Sequence, residues 1–393
     1  MSFFRSSVPE RSERLRRIRC ARFVAPFVLS VLAGCGPRDG SRELAAGRAA
    51  YEAGDLKGAE ELLLESERLN ATNVDTQVCL ALVGLARGDL AEAERHIANA
   101  EASASGDLDV RLAGAQIAWH AKAYDKALAA YRALAEDASL DPSVRARGWT
   151  GQGIVQMTNN AYDLARISFL QAIRLDRRNA AARYHLGHLY RYAPFGYPEA
   201  ALEQFESYVR LVAEADARVR KTQRSVIPGL KDEIARAASD RPGASSRNSA
   251  VGAAALSKAE AAWKKGSYKV AATEYRNALS ADPLAYPAAL GLARVLLKTD
   301  SSAAGQRKAL DAYRTACSLR PGSVATFVEA GALAERLGQA VVAREIYSRA
   351  VAANPASASA LDGLIRSCRK AGDKAVANAY QRYRDSLSQP VRK

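Results

Sequence analysis

Along much of this chain, small and aromatic residues return on one side of a helical period, with polar residues between them. In the stretch 263–283, Ala271, Tyr275 and Ala278 are spaced four and then three positions apart, which puts all three on one helix face. The alanine recurs at Ala309 and Ala343, in steps of 38 and 34 residues, and Pro283, Pro321 and Pro355 follow in the same steps. Each proline lacks a backbone N–H and drives the residue before it out of the α region, so a helix is predicted to stop there. Gly266 supplies a permissive backbone for a turn between two helices. Small residues let two helix backbones approach, and the aromatic fills the space between one helix pair and the next. A single pair cannot bury its own apolar face, so the pattern predicts stacked pairs, an all-α solenoid.

The same spacing extends towards the amino end. Gly54-Asp55-Leu56 and Gly88-Asp89-Leu90 are 34 residues apart, as are Ala59, Ala93 and Ala127; Ala165 and Ala201 follow after 38 and 36. Five units are expected over 42–210, the fifth opening with ARYHLGHLYR at 182–191, where Leu186 and Gly187 take the packing positions. Residues 211–237, with Arg218, Arg220, Lys221, Arg224 and Lys231 around Pro228-Gly229, read as two charged helical pieces about a break. Together with a Ser-, Gly- and Arg-rich flexible linker at 240–252 they form a cap-and-linker segment over 211–252. Four further units occupy 253–393, beginning near Ala254, Ala288, Ser323 and Ser357, with an inserted loop from Thr299 to Gln306. The last helix, Val376 to Leu387, is expected to be a solvated cap with Gln381, Arg382 and Arg384 facing water.

A period near 34 residues with these small, aromatic and proline positions resembles the tetratricopeptide repeats. The resemblance implies helix pairs that bind proteins or peptides in a concave groove lined by the first helix of each unit. Counted from the small packing positions Ala259, Ala293, Gly331 and Ile365, offsets of +1, +4 and +5 place Trp263, Lys264, Arg294, Lys298, Arg336, Arg366, Arg369 and Lys370 in the groove of the second block. Glu260 and Glu335 are the acidic exceptions. The first block contributes a more apolar and aromatic set: Tyr51, Leu85, Trp119, Met157, Tyr184, His188, Arg191 and Tyr192. Arginines in a groove offer bidentate bonds to the carboxylates of an acidic partner.

Charge and motifs then narrow the function. The formal charge is +15, of which residues 1–34 account for +5. That segment carries Arg5, Arg11, Arg14, Arg16, Arg17, Arg19 and Arg22, then an apolar run from Phe23 to Leu32 and the tetrapeptide Leu32-Ala33-Gly34-Cys35. Basic region, short apolar run and small residues make a secretory signal. The tetrapeptide resembles a bacterial lipobox, which implies a signal peptide over 1–34, Cys35 as the acylated residue, and a tether over 35–41. Gly36 after the cysteine points, by the same resemblance, to an outer membrane facing the periplasm. Export argues against nucleic acid as the counterpart of the positive charge and favours acidic protein segments, anionic lipid or anionic cell-wall polymer. Cys79, Cys317 and Cys368 show no CxxC spacing and read as buried apolar residues. His185 and His188 lie one turn apart, but a third metal ligand has no obvious source beyond His96 and His120. Gly151-Gln152-Gly153 lacks the third glycine of a dinucleotide loop, and neither a Walker loop nor a GxSxG elbow occurs. The sequence therefore predicts a non-enzymatic, membrane-anchored scaffold for an envelope or secretion complex, with no cofactor, metal or small-molecule substrate. An adaptor for cell-wall enzymes or wall polymer is the alternative.

Overall fold

The structure, a computed structural model, describes residues 39–192, 194–212 and 216–391; Cys35 and its signal lie outside them. The described residues are helical, without a strand. In order they form α1 (Ser41–Ala53), α2 (Leu56–Leu69), α3 (Val74–Arg87), α4 (Leu90–Ala104), α5 (Leu108–His120), α6 (Tyr124–Glu136) and α7 (Pro142–Thr158). Next come α8 (Tyr162–Leu175), α9 (Ala180–Arg191), α10 (Pro198–Leu211), α11 (Ala217–Lys221) and α12 (Ile227–Ser239). The chain ends with α13 (Ser249–Lys264), α14 (Tyr268–Ala281), α15 (Tyr286–Thr299), α16 (Ala303–Leu319), α17 (Val324–Arg336), α18 (Ala340–Ala353), α19 (Ala358–Lys370) and α20 (Lys374–Leu387). Two compact units divide between Asn159 and Asn160.

Each helix pair is built the same way. In the first unit the turn residue adopts a left-handed conformation at Gly54, Gly88 and Lys122, with φ of 85°, 86° and 62°. The aspartate that follows the glycine caps the second helix: Asp55 accepts from the Gly58 amide and Asp89 from the Glu92 amide, both at 3.0 Å. In the second unit Gly266, Gly338 and Gly372 take the same left-handed backbone. The alanines picked out by the period, from Ala59 to Ala377, are fully buried. Helices α14, α16 and α18 each stop two residues before Pro283, Pro321 and Pro355.

The aromatic position explains a set of glycines. Tyr275 packs against Gly291, Tyr131 against Gly151, and Tyr347 against both Gly331 and Gly363; a methyl group at Gly291, Gly151 or Gly363 would overlap the ring. The Gly151-Gln152-Gly153 stretch is thus buried helix in α7. In the first unit, apolar clusters join α1 to α2 and α3 through Leu44, Leu63, Leu80 and Val83, and α3 to α4 and α5 through Val78, Ile97 and Ile117.

Four expectations are revised. The Thr299–Gln306 insertion is mostly helix: Ser302 accepts from the Gly305 amide at 3.1 Å, starts α16 at Ala303, and so absorbs the extra residues into a helix of 17. Pro228 does not break the charged segment. The helix runs through a π-turn at Thr222–Val226, where Ile227 donates to the Thr222 carbonyl, so the ladder widens just where Pro228 can give no bond. The 240–252 stretch is anchored, with Arg241 donating to the Ser318 carbonyl at 2.6 Å and Asn248 capping α13. The terminal helix α20 is no solvated cap, since it buries Tyr380 and Tyr383 against α8.

Candidate protein-binding surface

In the second unit, α13, α15, α17 and α19 carry the residues expected to face a partner. Trp263 stands edge-on to Tyr268, partly buried in the cluster that joins α13 and α14, while Lys264 is exposed. Arg294 of α15 grips Glu329 of α17 with two bonds, 2.6 and 3.0 Å, and the Tyr313 hydroxyl donates to the same carboxylate at 2.8 Å. The Arg294 bonds hold the Glu329 carboxyl below its ordinary range, and the Tyr313 hydroxyl is pushed up, first by burial and then by that carboxylate. A second node repeats the design: Glu335 accepts from Arg366 at 3.0 Å and from the Tyr347 hydroxyl at 3.1 Å, with Lys370 at 3.9 Å. Burial and that carboxylate push Tyr347 up to about 12.

Arg294, Arg366 and Lys370 are therefore already engaged. Lys298, Arg336 and Arg369 are exposed and, like Lys264, make no ion pair among the described residues. Sequence reasoning missed Glu329, which sits two positions before Gly331 and outside the offsets that define the lining face. The signal that could have found it is the tyrosine of each second helix: Gly291 and Gly363 follow Tyr275 and Tyr347 by 16 residues, and Glu329 follows Tyr313 by the same step, within reach of its hydroxyl.

Trp119, in the first unit, donates its indole N–H to Thr158 at 3.3 Å and packs partly buried near Ala127 and Val155. In the second unit, Tyr184 and His188 belong to an aromatic cluster with Phe205, their rings 4.5 Å apart edge to face. Val219 of α11 and Tyr208 cover Tyr184. Burial lowers His188 to about 4, and lowers His185, stacked on Phe169, to about 3, so both are neutral ring fillers at neutral pH. Arg191 lies over the exposed Tyr192 ring at 5.5 Å. Among the described residues no cluster of His, Cys, Asp and Glu could hold a metal ion.

The tetratricopeptide-repeat family model matches residues 79–142 and 256–324, one stretch in each unit. Among curated proteins none matches the sequence. Solved structures with a similar fold include pilF of Pseudomonas aeruginosa, at 17% identity over 52% of this chain and 93% of that one, TM-score 0.40. MamA of Desulfovibrio magneticus RS-1 is 16% identical over 44% of this chain and 95% of that one, TM-score 0.35. In a third, the APC/C hetero-tetramer Cut9–Hcn1, the match is 16% identical over 90% of this chain and 81% of that one, TM-score 0.36.

Proposed function

We propose that this chain, a tetratricopeptide-repeat protein, serves as a membrane-anchored scaffold that holds acidic protein or peptide segments in a bacterial envelope. The observation that carries the reading is the set of exposed, unpaired cations Lys298, Arg336 and Arg369 on successive first helices, beside two nodes whose carboxylates are already neutralised. A partner carboxylate placed there meets positive charge without having to displace an internal acid. Lipid attachment at Cys35, which the lipobox-like tetrapeptide supports, would hold the scaffold at the outer membrane facing the periplasm.

The test is in-cell crosslinking of the native protein beside a variant with Lys298, Arg336 and Arg369 changed to Glu. These side chains have no internal partner to lose, so charge reversal reads out binding rather than folding. Partners recovered with the native protein and lost from the variant support the assignment; equal recovery removes it. Cys35→Ala is expected to move the protein from the membrane to the soluble fraction, and unchanged fractionation would sink the anchor.

A further inference from the structure

Arg166 of α8 is the largest fully buried side chain among the described residues, and its charge has no part in the surface described above. All three guanidinium nitrogens are engaged. Nε donates to the Tyr380 hydroxyl at 2.6 Å, Nη1 to the Ser348 hydroxyl at 2.7 Å, and Nη2 to Asp163 at 2.9 Å. The guanidinium face lies 4.5 Å from the centre of the Phe195 ring. Asp163 also accepts from Arg344 at 2.6 Å and from the Tyr380 hydroxyl at 3.1 Å, and Arg344 pairs in turn with Asp373. Ser348 accepts a further bond, 3.1 Å, from the Tyr197 hydroxyl. Two cations meet two carboxylates, so the cluster is neutral. Its partners are separated by 182 and 214 residues in sequence, and no helix pair of the repeat pattern brings them together.

We infer that this cluster is a lock that fixes α8 and the 195–197 turn against α18 and α20 in one register. A buried ion pair contributes little net stability compared with apolar packing, but it is intolerant of displacement, because a slip strands an unpaired charge away from water. The planar fork of arginine makes the constraint geometric as well as electrostatic: three donors in fixed directions meet a hydroxyl of α20, a hydroxyl of α18 and a carboxylate of α8. An apolar contact would permit neighbouring registers; this one does not. The lock thereby holds the carboxyl-terminal repeats, including the Glu335 node that α17 shares with Tyr347 of α18, to the end of the first repeat series.

The experiment is hydrogen exchange on the full chain, comparing native protein with Arg166→Met, Arg166→Lys and Tyr380→Phe. In Arg166→Met, amides of α8, α18 and α20 are expected to exchange at least tenfold faster, with α3–α6 and α13–α14 unchanged. Arg166→Lys keeps the charge and loses the fork, so it should resemble Arg166→Met. Tyr380→Phe keeps the ring and removes the bridging hydroxyl, giving a smaller acceleration in the same helices. If Arg166→Met loses its helical circular dichroism altogether, the Tyr380→Phe pattern decides. Native exchange in Tyr380→Phe, full protection in Arg166→Lys, or acceleration spread evenly through α13–α15 would each overturn the lock.

Discussion

The left-handed turn residue shows how local the determinants of this fold are. It recurs at Gly54, Gly88, Gly266, Gly338 and Gly372, but Lys122 occupies the same place with φ 62°. A side chain there strains the backbone by roughly 1 kcal/mol. Lys122→Gly should therefore stabilise by about 1 kcal/mol, read as a higher urea midpoint, and Gly88→Ala should lower the midpoint; opposite signs at equivalent positions are the check. Within α15 the rule inverts. Alanine usually stabilises a helix interior relative to glycine by about 1 kcal/mol, yet Gly291→Ala should destabilise by roughly 1–3 kcal/mol because its methyl group meets the Tyr275 ring. Acid sensitivity also resides in single residues. His185 and His188 are lowered to about 3 and about 4, whereas the unfolded chain protonates near 6.5. Below that pH the unfolded state takes up protons the folded state refuses, so stability falls as pH falls, by about 1.4 kcal/mol per pH unit for each histidine. His96 adds to this: burial and then the Arg95 charge lower it, and Arg95 donates to its Nε2 at 2.8 Å, so that nitrogen is the unprotonated one. Urea midpoints between pH 7.5 and 5 measure the slope, and His185→Phe should flatten it. The alanine, tyrosine and turn-glycine positions were legible in the sequence because each occupies a fixed offset. The glycines under the rings were less so, since nothing in a helical pattern marks a missing Cβ as space for a neighbour.

At the scale of the element, boundaries followed from capping chemistry more than from periodicity. Asp55 and Asp89 end one turn and begin the next helix, and the paired Gly-Asp-Leu triplets announced both positions. Asp89→Ala should cost about 1 kcal/mol through the loss of one amide acceptor, read as a lower urea midpoint for the first unit. The misread elements failed for a common reason. Ser302 and Pro228 each look like an interruption, but a serine one residue before a helix is a start signal, and a proline is tolerated where the hydrogen-bond ladder steps out to i−5. Breaker residues mark where the backbone must adjust, and only the structure shows whether it adjusts by ending or by widening.

Across the molecule, the candidate surface was half legible. Offsets from the packing positions found Lys298, Arg336 and Arg369, but they counted Arg294, Arg366 and Lys370 as open because they could not see which carboxylates cross from one repeat to the next. Contacts between distant segments were beyond reach altogether: nothing in a 34-residue period relates Arg166 to Tyr380. This has a measurable consequence for how stability is shared. A fragment spanning 249–391 keeps every repeat of the second series, yet it leaves the Tyr380 and Ser348 hydroxyls without Arg166, and Arg344 with Asp373 alone. A fragment spanning 160–391 keeps them all. Water replaces the lost donors in the shorter fragment, so the penalty is that of hydrogen bonds to a charged group, roughly 1.5–3 kcal/mol, rather than that of a stranded buried ion. The shorter fragment should unfold at correspondingly lower urea with its helical signal otherwise native. Equal midpoints would mean that the second series stands by its nearest-neighbour packing alone, as an open solenoid would, and that α8 adds register without stability.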